Sequence, residues 1–333
     1  MDVLKGFWTS IFWGMYDSFK GTYTLFHLDK ELNRRRLSRY SPTHSNSPVR
    51  RRQSESRDQT PVRTLQKHEE STVMSRILQC GLLNGAIFLC SIIFFESAFL
   101  PCMNMVIMFL FGQESSSGLS VWFWIDLLLR IFFQTTWVVP LFTISKFINN
   151  LWFQDIGQSA YRYSRGRSNT SLGLSKSVAD FIFSAVVEVI FLVQAMLMTY
   201  NPIYYLGYGL YLIHLSLLYS LYAFEYKWGE MGWEIHRRLT CIETHWPYFI
   251  GFGLPLAMLT QLSDSFIISG CVFSMLFPVY IISANEANPV AESCSRIKIF
   301  SPVIAVTNAL FSIVGKGKKL TAQRPVAQHQ HRR

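Results

Sequence analysis

Asp126, Arg130, Glu188, His214 and Asp264 interrupt long apolar runs, where an ionisable side chain can bind, pair or relay charge. At the centre of a lipid-embedded helix such a group costs about 2.5–3.5 kcal/mol on insertion scales, so each needs a partner or a task. Asp126 and Arg130 stand four residues apart, the spacing that lets two side chains meet on one helix face. That pair either neutralises itself or offers a site for an ion or a lipid headgroup. Glu188 has no charged neighbour in its own run, although Gln194 is near in sequence. Arg130 or His214 from another helix can answer it, as structural glue or as part of a polar path. His214 alone reads as a satisfied interior histidine. Asp264 falls in the polar break at 261–264 of an apolar run that extends over 248–282. Within that run Gly251, Gly253 and Pro255 are expected to break regular helix and to admit close backbone approach. Together these residues outline a candidate transport path. Nothing in the chain has the spacing of a hydrolase triad, a metal cluster or a phosphate loop, so neither a cofactor nor a metal is expected.

The elements that would hold these groups are membrane helices. Half of the 333 residues are hydrophobic and 15% are aromatic, while only 16% are charged. A soluble domain carries about a quarter charged residues. The apolar runs at 122–148, 178–200 and 203–224 are each of the order of one crossing, which takes about 20 residues, and the run at 77–111 is longer than one. Glu96 and Pro101 are expected to mark the far end of that crossing, with an interfacial continuation to Gly112. The run at 248–282 is too short for two full crossings and reads as two short tilted helices or a re-entrant hairpin. The charged stretch 225–245 reads as a short surface helix. The expected fold class is therefore all-α: a polytopic helical membrane protein with about four spanning helices, a short or re-entrant hairpin and an amphipathic N-terminal helix.

That N-terminal helix covers 1–28. At 100° per residue Leu4, Trp8, Ile11, Phe12, Met15, Phe19 and Phe26 share one side, opposite Asp2, Lys5, Thr9, Asp17 and Lys20. The pattern suits a helix lying in the interface or one packed on the membrane domain. Residues 29–76 form a basic linker, expected to be disordered and cytosolic, with twelve Lys or Arg against six Asp or Glu. It carries the clusters Arg34, Arg35, Arg36 and Arg50, Arg51, Arg52. The membrane domain is assigned to 77–288, and 289–333 to an interfacial segment with a basic tail. The net charge of +10 follows the loops beside the apolar runs, which favours positive-inside topology over nucleic-acid binding. Both termini are then cytosolic, and the sequon at Asn169 stays unglycosylated. Membrane lipids are the expected partners, no nucleic acid is, and oligomers are allowed. The six cysteines show no disulfide or zinc spacing.

The strings SRILQC at 75–80, LWFQDI at 151–156, LLYSLYAFE at 217–225, WPYFIGFGLPL at 246–256 and IISANEA at 281–287 carry a resemblance. By these the chain resembles the etoposide-induced membrane-protein family, over roughly 75–288. The resemblance implies a multi-pass protein of the endoplasmic reticulum, needed where autophagosomes mature or are degraded, and linked in animals to growth suppression and apoptosis. It implies partners among autophagy- or apoptosis-related membrane proteins, and no catalytic residues. The wider superfamily includes CysZ-type sulfate permeases with half-penetrating hairpins, which keeps an alternative open: an anion or lipid transporter using the intramembrane acids and arginine.

Overall fold

A computed structural model describes residues 2–40, 73–111, 116–166, 174–289 and 295–322. Among these residues the chain forms helices and no strand. They are α1 (Asp2–Tyr40), α2 (Val73–Phe111), α3 (Ser117–Arg165), α4 (Leu174–Met198), α5 (Tyr204–Glu230), α6 (Ile235–Thr244), α7 (Trp246–Thr260), α8 (Phe266–Glu286) and α9 (Ser301–Ala322). Helix is what lipid permits, because each segment must satisfy its own backbone N–H and C=O groups. The turns between helices follow local chemistry. Gly166, at φ 87°, ends α3. Between α4 and α5 the Asn201 side chain accepts from the Ile203 N–H (3.0 Å) ahead of a chain that Pro202 prevents from staying helical. Gly232, at φ 69°, turns α5 into α6. Pro247 opens α7, and the Ser265 hydroxyl caps α8.

α2, α3, α5 and α8 are long and apolar enough to cross a bilayer. The run at 178–200 lies in α4, a helix of 25 residues of which Ile182–Met198 is apolar. The run at 248–282 is a helical hairpin, α7 and α8, with its turn at 261–265. α7 rises about 22 Å and α8 about 31 Å, against a hydrocarbon core of about 30 Å.

Three helix boundaries depart from the sequence reading. α1 continues to Tyr40 rather than stopping at 28. α2 runs through Glu96 and Pro101 to Phe111, because π-helical winding at Phe95–Phe99 loosens the backbone just ahead of the proline. Gly251, Gly253 and Pro255 do not break α7, which is continuous; the glycines instead sit where other backbones press against it. A methyl group on Gly251 would collide with the Ile11 carbonyl of α1, and one on Gly253 with the Ser216 carbonyl of α5. The charged stretch splits, with α5 running to Glu230 before α6 begins.

The core lies where α5, α7 and α8 meet. Phe224 packs edge-on against Phe249 and Phe252, with Trp228 alongside. α4 and α6 cover one side of α5, while α2 and α3 flank α8. α2 and α3 form an antiparallel hairpin whose register runs Arg76–Asp155, Asn84–Asn149, Ser91–Trp137 and Phe95–Phe133. The α8 start, through Phe266 on Phe142, reaches about the level of Phe88 and Phe142. Beyond that level α2 and α3 project as an arm with Met105, Phe109, Trp124 and Phe132 exposed.

Candidate functional site: polar groups inside the helix bundle

The sequence candidates fall into separate groups. Asp126 and Arg130 pair with each other at 2.9 Å on the α2–α3 arm. Glu188 finds neither Arg130 nor His214. Its carboxylate accepts from Ser184 Oγ (3.1 Å), and the same hydroxyl lies 2.6 Å from Glu225 on α5. Arg238 on α6 closes the group, at 2.9 Å from Glu225 Oε1, while its Nε holds the Trp233 carbonyl. Four side chains thus tie α4, α5 and α6 together at one end.

His214 sits farther along α5, with both ring nitrogens engaged. Nδ1 lies 2.7 Å from the Leu210 carbonyl, which can only accept, so Nδ1 carries the hydrogen. Nε2 is then left to accept from the Gln194 amide at 3.2 Å. Asp264 is exposed in the α7–α8 turn. The recorded contacts therefore do not join the five candidates into one chain. Of the basic clusters, Arg34 lies 3.6 Å from Glu31 and is largely exposed. Arg35 and Arg36 fall in α1 without described side chains, and Arg50, Arg51 and Arg52 lie outside the described residues, as does most of the expected disordered linker.

Other buried polar groups carry more of the architecture. Lys227 reaches across to the C-terminal end of α8, donating to the carbonyls of Ala284 (3.1 Å) and Ala287 (2.6 Å). A cation there answers the unpaired carbonyls and the negative helix end together. Asn84 and Asn149 exchange amide hydrogen bonds at 3.0 and 3.1 Å inside the α2–α3 hairpin. Glu243 of α6 accepts from Arg296 (2.6 Å) and from the Phe300 N–H (3.1 Å), which pins the approach to α9. Phe300 then packs on Phe191 of α4. On α1, Asp17 accepts from Tyr248 Oη (2.6 Å) and from Lys20 (2.7 Å).

Sequence reasoning missed Lys227, Glu225 and Arg238 because they fall at the edge of an apolar run, where charge needs no explanation. The spacing of Glu225 and Lys227 before the 231–234 turn was the available signal. Asn84 and Asn149 carry no formal charge and gave none.

The arrangement offers little reactive chemistry. Burial pushes the Cys241 thiol up, against the opposite pull of Lys227 and Arg237, so it is a poor nucleophile. Among the described residues no group of His, Cys, Asp or Glu is placed to hold a metal ion. The five cysteines described are free thiols.

Comparison with known proteins agrees with this helical membrane architecture. Residues 63–263 match the family model described as sulfate transporter CysZ/etoposide-induced protein 2.4. The chain is 34% identical over 151 residues to Ectopic P granules protein 4 of Caenorhabditis elegans, covering 45% of this chain and 48% of that protein, about half its length. It is 26% identical over 245 residues to the protein EI24 homolog of Arabidopsis thaliana, covering 65% of this chain and 76% of the relative. The Dictyostelium discoideum homolog is 28% identical over 234 residues, with 68% and 69% covered. No solved structure matches. With more than half of its length matched by that one family model, the chain belongs to the CysZ/etoposide-induced protein 2.4 family.

Proposed function

We propose that this protein is a non-enzymatic multi-pass protein of the endoplasmic-reticulum membrane that acts in autophagy, at the step where autophagosomes mature or are degraded. In this reading the end of the bundle that carries α6, the α7–α8 termini and α1 faces the cytosol, with both chain termini. The polar residues inside the bundle hold helices together, and the basic segment after α1 recruits partners from the autophagy and apoptosis machinery. The link to growth suppression belongs to the same reading. What supports it is the kinship: the family resemblance implies this cellular role. The worm relative is named for P granules out of place, as cytoplasmic bodies would be if their clearance failed. The observation that carries the non-catalytic part is that these interior charged groups are engaged by partners within the bundle. Glu188 and Glu225 engage Ser184 and Arg238, and Lys227 engages two helix-end carbonyls.

Transport of a sulfate-like anion is the second reading, favoured by the wording of the family description and by Arg130 on the arm. One variant separates the two: a full chain carrying Asp126→Asn, Arg130→Gln, Glu188→Gln and Asp264→Asn. In cells lacking the protein, the scaffold reading expects this chain to restore clearance of autophagic cargo. In liposomes, it expects neither the native nor the variant chain to raise sulfate flux. Flux by the native chain that the variant loses, with clearance lost alongside, would replace the scaffold by a transporter.

A further inference from the structure

α1 is packed inside out for a helix beside water. The side it turns to the bundle is small and polar: Ser10, Gly14, Asp17, Ser18 and Gly21 are buried. A methyl group on Gly14 would strike the Tyr248 carbonyl, and one on Gly21 the Val279 carbonyl. Ser283 Oγ donates to the Ser18 carbonyl (2.6 Å) and accepts from the Gly21 N–H (2.8 Å). The opposite side carries Trp8, Phe12, Phe19, Tyr23 and Phe26, each more than half exposed. Lys5 and Lys30 are exposed on the same helix.

The contacts also fix where α1 lies. It meets α7 at Trp246, Tyr248, Gly251 and Phe252, and α8 at Val279 and Ser283. These positions are at the ends of α7 and α8 away from their turn at 261–265. α1 therefore crosses the base of the hairpin, and among the described residues its aromatic side is left uncovered. Its mix of Trp, Tyr, Phe and Lys is the composition of a membrane interface.

We infer that α1 is a lipid-binding wedge: its aromatic side is seated in the leaflet at the hairpin base while its polar side is bolted to α7 and α8. The occupant is the lipid of a single leaflet, with the lysines near anionic headgroups. An amphipathic face of this kind sits about 5–10 Å into the headgroup boundary. A helix clamped there adds area to one leaflet and favours membrane curved toward that side. The inference deepens the scaffold reading and rests on it for its cellular meaning, but the location of α1 is tested independently.

The test places a fluorescent amino acid at Phe12 or at Phe19 of the full chain, reconstituted in vesicles of neutral and anionic phospholipid. Lipids carry a nitroxide quencher at the headgroup, at a shallow acyl position or at a deep one; iodide quenches from water. The wedge requires the shallow nitroxide to quench most at both positions. Strongest quenching from the deep nitroxide would make α1 a spanning helix and overturn it. Quenching by iodide alone would place the aromatic side in water, and a photo-crosslink from position 12 to a second copy would assign the surface to self-association; either also overturns it. In tubes drawn from giant vesicles the native chain should be enriched over the flat membrane. The chain with Trp8→Ser, Phe12→Ser and Phe19→Ser, which leaves the Gly14 and Asp17 contacts untouched, should lose that enrichment.

Discussion

Lys227 shows how a charge inside a helix bundle becomes structural. It is almost completely buried, yet its ammonium holds two carbonyls at the end of α8. Lys227→Met keeps the apolar stem and abandons both acceptors, so the purified protein should lose about 2 kcal/mol of stability in detergent unfolding. The carboxylate group behaves asymmetrically. Glu188→Gln keeps an acceptor for Ser184 and should change stability by no more than about 0.5 kcal/mol. Glu225→Gln leaves Arg238 without its counter-charge and should cost about 2 kcal/mol. A larger loss in Glu188→Gln would mean that Glu188, not Glu225, is the partner of the arginine. Asn84→Leu and Asn149→Leu should each weaken the α2–α3 hairpin. The double variant should recover about 0.6–1.7 kcal/mol relative to the sum, the scale of interhelical hydrogen bonds in lipid.

At the scale of the element, backbone proximity matters more than side-chain charge. Gly14 and Gly251 bring α1 onto α7 closely enough that no Cβ fits between them. Gly14→Leu should lift α1 from the hairpin and speed tryptic cleavage at Lys20 by about tenfold. Gly229→Ala, where open space surrounds the new methyl group, should leave it unchanged. Much of this level was legible beforehand. The long apolar runs and the hairpin with its break at 261–264 both follow from hydropathy and turn chemistry. The sides of α1 were legible only in part: of the polar side Asp2, Lys5, Thr9, Asp17 and Lys20, Asp17 is buried while Lys5 is exposed. Hydropathy sends the aromatic side inward in water; when lipid is the solvent, the small and polar side packs instead. Gly251 and Gly253 misled for a related reason. Glycine marks close backbone approach as well as helix breaking, and only the neighbouring helices decide between them. The partners of Glu188 were not legible, because they depend on the register of α4 against α5 and on an arginine outside any apolar run.

For the molecule as a whole, the account depends on which side of the membrane each end occupies. The α2–α3 arm runs past the α7–α8 turn, while the base end gathers α1, α6 and the approach to α9. Carbonate washing of microsomes should leave the chain in the pellet, as its apolar surface requires. The most direct measurement is a glycosylation map of the full chain in endoplasmic-reticulum membranes. A sequon inserted between 113 and 120, in the chain joining α2 to α3, should receive sugar, and the native sequon at Asn169, in the chain joining α3 to α4, should not. Sugar at Asn169 with none at the arm would turn the molecule over. It would put the wedge helix and the basic segment in the lumen and remove the cytosolic scaffold on which the proposed function stands.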